Sequence, residues 1–564
     1  MNTKLSTAVL FFLSSVLLGS QAASDFDWKK VTDLSPTLHP RSDVQCPKVT
    51  ASKELVWVPC YDSAFECTRL KVPLDYSAPN ASAAGIAIVK YSSTVPKSEY
   101  LGPILFNPGG PGVSGVDAIV ESGAYFSAIF GAHIATGIHY STPAASFFAT
   151  DVDRAQWEHP GVDTTYPSLN TSADVIPTQR GRYQLLGTLA KMQDSGNILQ
   201  HITTDNVARD MLSITEAFGY EKLQYWGVSW VEFVDLFLNA AYARMVRYGT
   251  VLGATFASMF PDKVGRLMID GVMDARSWYS GNITEAMTDT DATLQTFFDG
   301  CAAAGPGACP FYAPTAAAIA ANLTALSTSL IEAPIPVFTN ISYGLFTYTY
   351  LRNVLFTALY QPYKQFPLMA QGLADLGTGN ATILYQMAED APYECPRGSA
   401  PNDVEFDQND QEASIPTACG DGPVYSDTVA QLRESYEIGA KLSSFWDMFG
   451  NWRLRCAGWK VHRDGHFMGP IGANTSFPLL VIGNTADPVT PHLWAQRTSG
   501  YFPGSALLTY DAPGHTSLTA VSSCVATHMR QYFQNGTLPA AGTVCSPDQE
   551  LFPSSSSSNA TSPS

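Results

Sequence analysis

Gln224-Tyr225-Trp226-Gly227-Val228-Ser229 begins a turn that the next residues do not finish. Where a buried strand ends in G-x-S-x-G, the small residues let the chain reverse into a helix while the serine Oγ projects from the sheet edge. Here Ser229 is followed by Trp230 and Val231, and the second half of the motif, Tyr248-Gly249-Thr250-Val251-Leu252-Gly253-Ala254-Thr255, begins only after residues 230–247. Joined directly, the halves read Gly227-Val228-Ser229-Tyr248-Gly249, a complete turn running into a helix of small residues.

The interruption has two readings. Trp230 is encoded by TGG, so a TCG codon for Ser229 supplies GT across the Ser229/Trp230 boundary, and an AGA or AGG codon for Arg247 supplies the closing AG. Excision is in frame and restores serine, which makes 230–247 a retained intron. The other reading is a genuine insertion, helical because Ser229-x-x-Glu232 has the form of a capping box. The intron is favoured, because a hydrophobic stretch here disrupts the one turn whose geometry the chemistry needs.

The length of 564 residues allows a large core. Lys4, the apolar run from Ala8 to Leu18 and Ser20-Gln21-Ala22 read as a signal peptide, 1–22, that directs the protein to the extracellular space. The run is too short to span a bilayer, so no membrane anchor is expected. Sequons at Asn80, Asn170, Asn282, Asn322, Asn340, Asn380, Asn474, Asn535 and Asn559 agree with a secreted glycoprotein. Ten cysteines without a C-x-x-C pair point to disulfides rather than zinc. Close spacing suggests Cys60 with Cys67, Cys301 with Cys309 and Cys524 with Cys545, whereas Cys46, Cys395, Cys419 and Cys456 stay unassigned. A net charge of −18 argues against a nucleic-acid partner, whose phosphates need a basic surface.

Short apolar runs ended by turn residues recur at Ile86 to Lys90, Pro103 to Phe106, Leu223 to Trp226, Leu267 to Asp270 and Leu479 to Gly483. Buried strands of a mostly parallel sheet have this form, so the class is α/β. From Met273 to about Ser443 the pattern turns helical, with Ala316 to Leu330 its clearest case. The expected division is therefore core over 23–272, an inserted and mainly helical cap over 273–443, core again over 444–547, and a Ser-rich disordered tail over 548–564.

A serine hydroxyl becomes a useful nucleophile when a histidine takes its proton and a carboxylate fixes that histidine's tautomer. After the strand at Leu479 to Gly483 comes Asn484-Thr485-Ala486-Asp487-Pro488, and after Ala506 to Tyr510 comes Asp511-Ala512-Pro513-Gly514-His515. Ser229, Asp487 and His515 thus follow predicted strands in the order serine, acid, base, with Asp511 the second choice of acid. Singly these residues are weak signals, since most aspartates before proline only form turns. In Asn107-Pro108-Gly109-Gly110-Pro111-Gly112 a glycine-rich turn lets N–H groups face a developing oxyanion. Gly110 is one expected donor; the other is Trp230, or Tyr248 if the insert is absent. No metal or organic cofactor is implied.

The N-P-G-G-P-G loop, Tyr225-Trp226-Gly227-Val228-Ser229 with Tyr248-Gly249-Thr250, Phe260-Pro261-Asp262-Lys263-Val264, Asp270-Gly271-Val272 and the Asp487 and His515 segments together resemble the secreted tripeptidyl and prolyl aminopeptidase relatives among the α/β-hydrolases, peptidase family S33. The likeness is strongest from Cys456 to Cys545, similar to that family's TAP-like C-terminal region. It implies an α/β-hydrolase fold and a serine exopeptidase that frees short peptides or single residues from free N-termini, with cap carboxylates holding the substrate amine; no residue here can be matched to those carboxylates. One departure is Gly137-Ile138-His139-Tyr140-Ser141-Thr142-Pro143, where relatives show a strand and then D-P-R-G; a shortened or misannotated core strand is expected there. The expected partner is a peptide, or a small ester if the same triad serves a carboxylic ester hydrolase. A third reading is an isoform inactivated by its interrupted turn. Oligomeric state is unassigned.

Overall fold

The computed structural model describes residues 49–553 apart from 62–63, 94, 131–134, 143–145, 159–167, 230–247 and 390–409. The signal segment, Cys46, Cys395, Trp230 with the rest of the insert, Asn559 and most of the Ser-rich tail lie outside the described residues.

A ten-stranded sheet forms the frame. Strands β1 (Val58–Cys60), β2 (Phe65–Pro73) and β3 (Ala83–Tyr91) pair antiparallel, and β3 pairs antiparallel with β5 (Ala135–Thr142). From there the sheet is parallel, through β4 (Ile104–Asn107), β6 (Leu223–Val228), β7 (Val264–Asp270), β10 (Leu480–Ala486), β11 (Ala506–Pro513) and β12 (Val544–Cys545). β5 has eight residues and pairs with both β3 and β4, so the strand expected to be shortened or misannotated is formed.

Alternation along each parallel strand sorts side chains between two cores. Ile104 and Phe106 of β4, Trp226 and Val228 of β6, Met268 of β7 and Leu480 and Ile482 around β10 face one side with helices α1 (Gly115–Phe130) and, at the chain's far end, Ser523–Asn535. Leu105, Tyr225, Leu267, Ile269 and Val481 face the other, with Val175–Gln193, Thr204–Ala217 and α2 (Tyr248–Met259). That second core continues without a break into helices of 273–443, among them Ala316–Glu332, Tyr348–Ala358 and Pro362–Leu376. Two short strands, β8 (Ile335–Phe338) and β9 (Tyr343–Phe346), form a hairpin within this region.

Disulfides join Cys60 to Cys67, Cys301 to Cys309 and Cys524 to Cys545, the pairs suggested by spacing, and also Cys419 to Cys456. The last links the end of helix Asp410–Gly420 to helix Asn451–Gly458 across 37 residues, a separation from which no pairing can be guessed. The eight sequon asparagines among the described residues are all exposed. No helix among the described residues is long and apolar enough to cross a membrane.

Asp421 ties the two regions together. Its buried carboxylate accepts from Thr204 N–H at 2.9 Å, the Thr204 hydroxyl at 2.5 Å and Trp278 Nε1–H at 2.9 Å. Burial raises its pKa from 3.8 to about 6, against the pull of those donors. A raised carboxylate pKa means that the folded state holds a proton the unfolded chain releases; the resulting stability is complete below the unfolded value and lost as pH rises through about 6. Asp421→Asn should therefore destabilise more at pH 4.5 than at pH 7, as read from denaturant midpoints; the opposite order would contradict burial as the dominant influence.

Candidate active site

Five loops meet at the C-terminal edge of the parallel strands, where open α/β sheets gather reactive groups. Asn107 to Gly112 follow β4, Ser229 follows β6, Gly271 follows β7, Asp487 follows β10, and Gly514 to Ser517 follow β11. The parallel registers of these strands bring residues almost three hundred positions apart into contact.

Ser229 Oγ lies 2.6 Å from His515 Nε2, and His515 Nδ1 lies 2.9 and 2.8 Å from the two oxygens of Asp487. All three side chains are buried. A carboxylate can only accept, so the neutral ring carries its proton on Nδ1 and leaves the Nε2 lone pair to take the serine proton. Burial alone would raise the Asp487 pKa, but the imidazole and the N–H groups of Val489 (3.0 Å) and Thr490 (2.9 Å) bring it below the ordinary value. Thr490 Oγ1 sits 3.3 Å from His515 Nδ1, and Thr516 N–H donates to Asp487 at 3.2 Å. The structure thus brings together Ser229, Asp487 and His515. It does not bring Asp511 to them: that side chain is exposed and accepts from Thr485 Oγ1 at 2.9 Å.

Gly110 has φ of 103°, reached at low cost only without a Cβ, and a Cβ there would stand 2.6 Å from Gly112 N. Asn107 Oδ1 holds the loop by accepting from Gly109 N–H at 2.9 Å. On the other side Gly249 packs into the end of β6: a Cβ on it would lie 2.4 Å from Val228 O and 2.8 Å from Asn107 O. Tyr225 closes the same spot by donating its hydroxyl to Gly249 O at 2.8 Å. Gly249 therefore fills the close-packed position against the end of β6. Tyr248, the start of α2, is buried, with its hydroxyl 3.1 Å from Thr204 Oγ1.

Sequence assigned no role to Asp270, Ser517 or Tyr360. Asp270 ends β7; its carbonyl accepts from Ser229 N–H at 3.1 Å, and its carboxylate accepts from Ser517 N–H at 2.9 Å and the Ser517 hydroxyl at 2.5 Å. Burial lifts its pKa to about 6. Tyr360 accepts from His515 N–H at 2.9 Å through its carbonyl and sets its ring edge-on to the imidazole, centroids 5.3 Å apart. The Asp270-Gly271-Val272 motif was visible in the sequence but gave no hint of a partner in the histidine loop, and nothing marked Tyr360. Among the described residues one group has the proximity of metal ligands, Cys524, His528 and Cys545. Its sulfurs are joined to each other, which leaves a single imidazole as donor.

Residues 443–545 match the family model described as TAP-like protein. The chain is 27% identical over 532 residues to the serine protease Hip1 of Mycobacterium bovis, covering 87% of this chain and 90% of the relative. It is 29% identical over 234 residues to the tripeptidyl aminopeptidase of Streptomyces lividans, covering 39% and 38%. To carboxylesterase B of Mycobacterium tuberculosis it is 27% identical over 499 residues, covering 85% and 86%. Sheet topology, the meeting of serine, histidine and aspartate, and these likenesses lead to one conclusion: the chain is a serine hydrolase of the α/β-hydrolase fold, and its residues 443–545 are similar to the TAP-like family.

Proposed function

We propose that the protein is a secreted aminopeptidase that releases short peptides or single residues from free N-termini through an acyl-enzyme. The observation that carries this reading is the unbroken hydrogen-bond path from Ser229 Oγ through His515 to Asp487. Ser229 attacks the scissile carbonyl as His515 Nε2 takes its proton. Asp487 holds the Nδ1–H tautomer and stabilises the imidazolium. The tetrahedral oxyanion is held by N–H groups of Gly110 and of the residue that follows the nucleophile. His515 returns its proton to the leaving amine, and water then hydrolyses the ester by the same route in reverse. The serine protease and tripeptidyl aminopeptidase relatives support a peptide substrate. A signal peptide, exposed sequons and four disulfides support the secretory route.

A fluorophosphonate should label Ser229, and Ser229→Ala should abolish both labelling and turnover of a peptide arylamide. His515→Ala should lower kcat by roughly a millionfold and Asp487→Asn by roughly ten-thousandfold, the scale seen when a triad loses its base or its tautomer. If Ser229→Ala kept full turnover, or if Asp511→Asn were the more damaging change, the assignment would fail.

A second reading, an ester hydrolase, has a specific support: the carboxylesterase relative covers nearly as much of the chain as the protease does. The two readings differ in their need for a free α-amine. Free peptide arylamides should be cleaved well, and their N-acetylated forms poorly. Equal rates on acetylated and free peptides, or turnover confined to aryl esters, would favour the esterase.

Residues 230–247 are a retained intron in this proposal. Gly249 already occupies the close-packed position against Val228 O, which supports direct succession of Tyr248 after Ser229. A form lacking the eighteen residues should turn over a peptide arylamide about a hundredfold faster than the full chain. That is the loss expected when a donor or nucleophile is displaced by about 1 Å. Equal specific activity of the purified long and short forms would show that the insert is tolerated.

A further inference from the structure

Thr516, the residue after His515, has φ of 65° and ψ of 172°. Backbone in this region belongs almost entirely to glycine, because any Cβ crowds its own carbonyl, and a β-branched side chain is the least suited of all. Two other non-glycine residues among those described have positive φ, Tyr61 and Asn197, and neither lies near the triad. Such a conformation persists only where the surroundings over-determine it.

The surroundings here can be named. Asn484 Nδ2 donates to Gly514 O at 2.8 Å and to Thr516 O at 2.7 Å, while Thr516 N–H is directed to Asp487. Those contacts come from β10 and the loop after it. The far side of Thr516 is held by a different strand: Ser517 gives both its N–H and its hydroxyl to the carboxylate of Asp270. Asp270 also receives Ser229 N–H on its carbonyl, so one residue of β7 meets the backbone of the nucleophile and the flank of the histidine loop. Next to it, Gly271 leaves the space that His515 needs: a Cβ there would lie 2.6 Å from Thr516 Cγ2, 3.3 Å from His515 Cε1 and 3.3 Å from Ser229 Cβ.

We infer that Asp270 is a positioning residue: through its two hydrogen bonds to Ser517 it holds Thr516 in a glycine-like backbone conformation, and that conformation aims His515 at Ser229 and Asp487 together. The inference rests on the reading of Ser229, His515 and Asp487 as the catalytic triad. Asp270 is fully buried, its carboxylate hydrogen-bonds to Ser517, and the charges acting on it are His515 and a second carboxylate, Asp487. Burying a second carboxylate that feels the charge of Asp487 is electrostatically costly, and the hydrogen bonds to Ser517 are what it contributes.

The test is a comparison of four forms of the full chain with a peptide arylamide: wild type, Asp270→Ala, Asp270→Asn and Asp270→Ala with Thr516→Gly. Asp270→Ala removes both hydrogen bonds and should lower kcat about a hundredfold with KM within threefold, the cost of a small misplacement of the base. In Asp270→Asn the amide accepts Ser517 N–H and donates to the Ser517 oxygen, so kcat should stay within about tenfold of wild type. Thr516→Gly relieves the strained position and should restore at least tenfold of the activity lost in Asp270→Ala. An unaffected Asp270→Ala, an Asp270→Asn as damaged as the alanine variant, or a folded double variant without recovery would each overturn the inference. Should Asp270→Ala not fold, Ser517→Ala with and without Thr516→Gly gives the same comparison with a smaller loss. Denaturant midpoints of the same forms make a second, activity-independent reading: Asp270→Ala should cost less in the Thr516→Gly background, and additive shifts would overturn the clamp. A full chain and an insert-free form that both fail to label with fluorophosphonate and to turn over would refute the triad reading, with the clamp still decided by the midpoints.

Discussion

A carboxylate kept ionised where no water reaches it is the condition on which this site rests. Asp487 is fully buried, so its charge must be met by protein donors. Three come from backbone, Val489 and Thr490 just beyond it and Thr516 from the neighbouring loop, and the fourth is the His515 ring. The first two exist because the chain turns tightly after β10, and the others because β11 lies beside β10 in parallel register. Asp487 therefore organises the loop that carries His515. The orientation of His515 follows from the need to solvate Asp487, before any substrate is considered.

The same logic links the two regions of the chain. His515 N–H is satisfied by Tyr360, between helices Tyr348–Ala358 and Pro362–Leu376, and the Tyr360 ring packs edge-on against the imidazole. Asp421, beyond Cys419, serves Thr204 at the start of helix Thr204–Ala217 and Trp278 at the beginning of the helical region. Both are polar contacts inside a continuous apolar core, where a lost partner leaves a buried group unsatisfied and is costly. The region over 273–443 is consequently more than a cover. It supplies the hydrogen-bond acceptor for the backbone N–H of His515.

What the sequence made legible follows period and punctuation. Parallel strands buried on both faces read as short apolar runs, and β6, β10 and β11 ended at turns that carried Ser229, Asp487 and His515, so β4, β6, β7, β10 and β11 and that trio stood out. Disulfides between cysteines seven or eight residues apart were legible too, because few other partners are in reach. Contacts made by backbone groups were not. The carbonyl of Tyr360 could belong to any residue, and the φ of Thr516 is imposed by partners on two other strands rather than by its own identity. Cys419 and Cys456 meet because two helices of separate segments pack together, a tertiary fact with no local signal. β5 misled in the other direction: it lacks the familiar residues after it, yet its pairing with β3 and β4 needs only extended backbone between two strands.

The interrupted turn shows why folding and catalysis answer to different constraints. The end of β6 and the start of α2 are in direct contact, with Gly249 against Val228 and Asn107, so whatever joins Ser229 to Tyr248 closes a loop on itself. Loop closure grows only logarithmically with length, and for eighteen residues the length-dependent part is about 2.5 kcal/mol. A large core can absorb a cost of that size, which is how Ser229 keeps its contact with His515 despite the insert. The oxyanion donor has no such latitude. In the proposed mechanism it is the N–H of the residue that follows the nucleophile, whose direction depends on the peptide bond leaving Ser229. Packing can return Gly249 to its place, but it cannot make Tyr248 the covalent successor of Ser229. On the proposed reading, then, the proton path survives the insert, and the donor that depends on chain continuity is the one it alters.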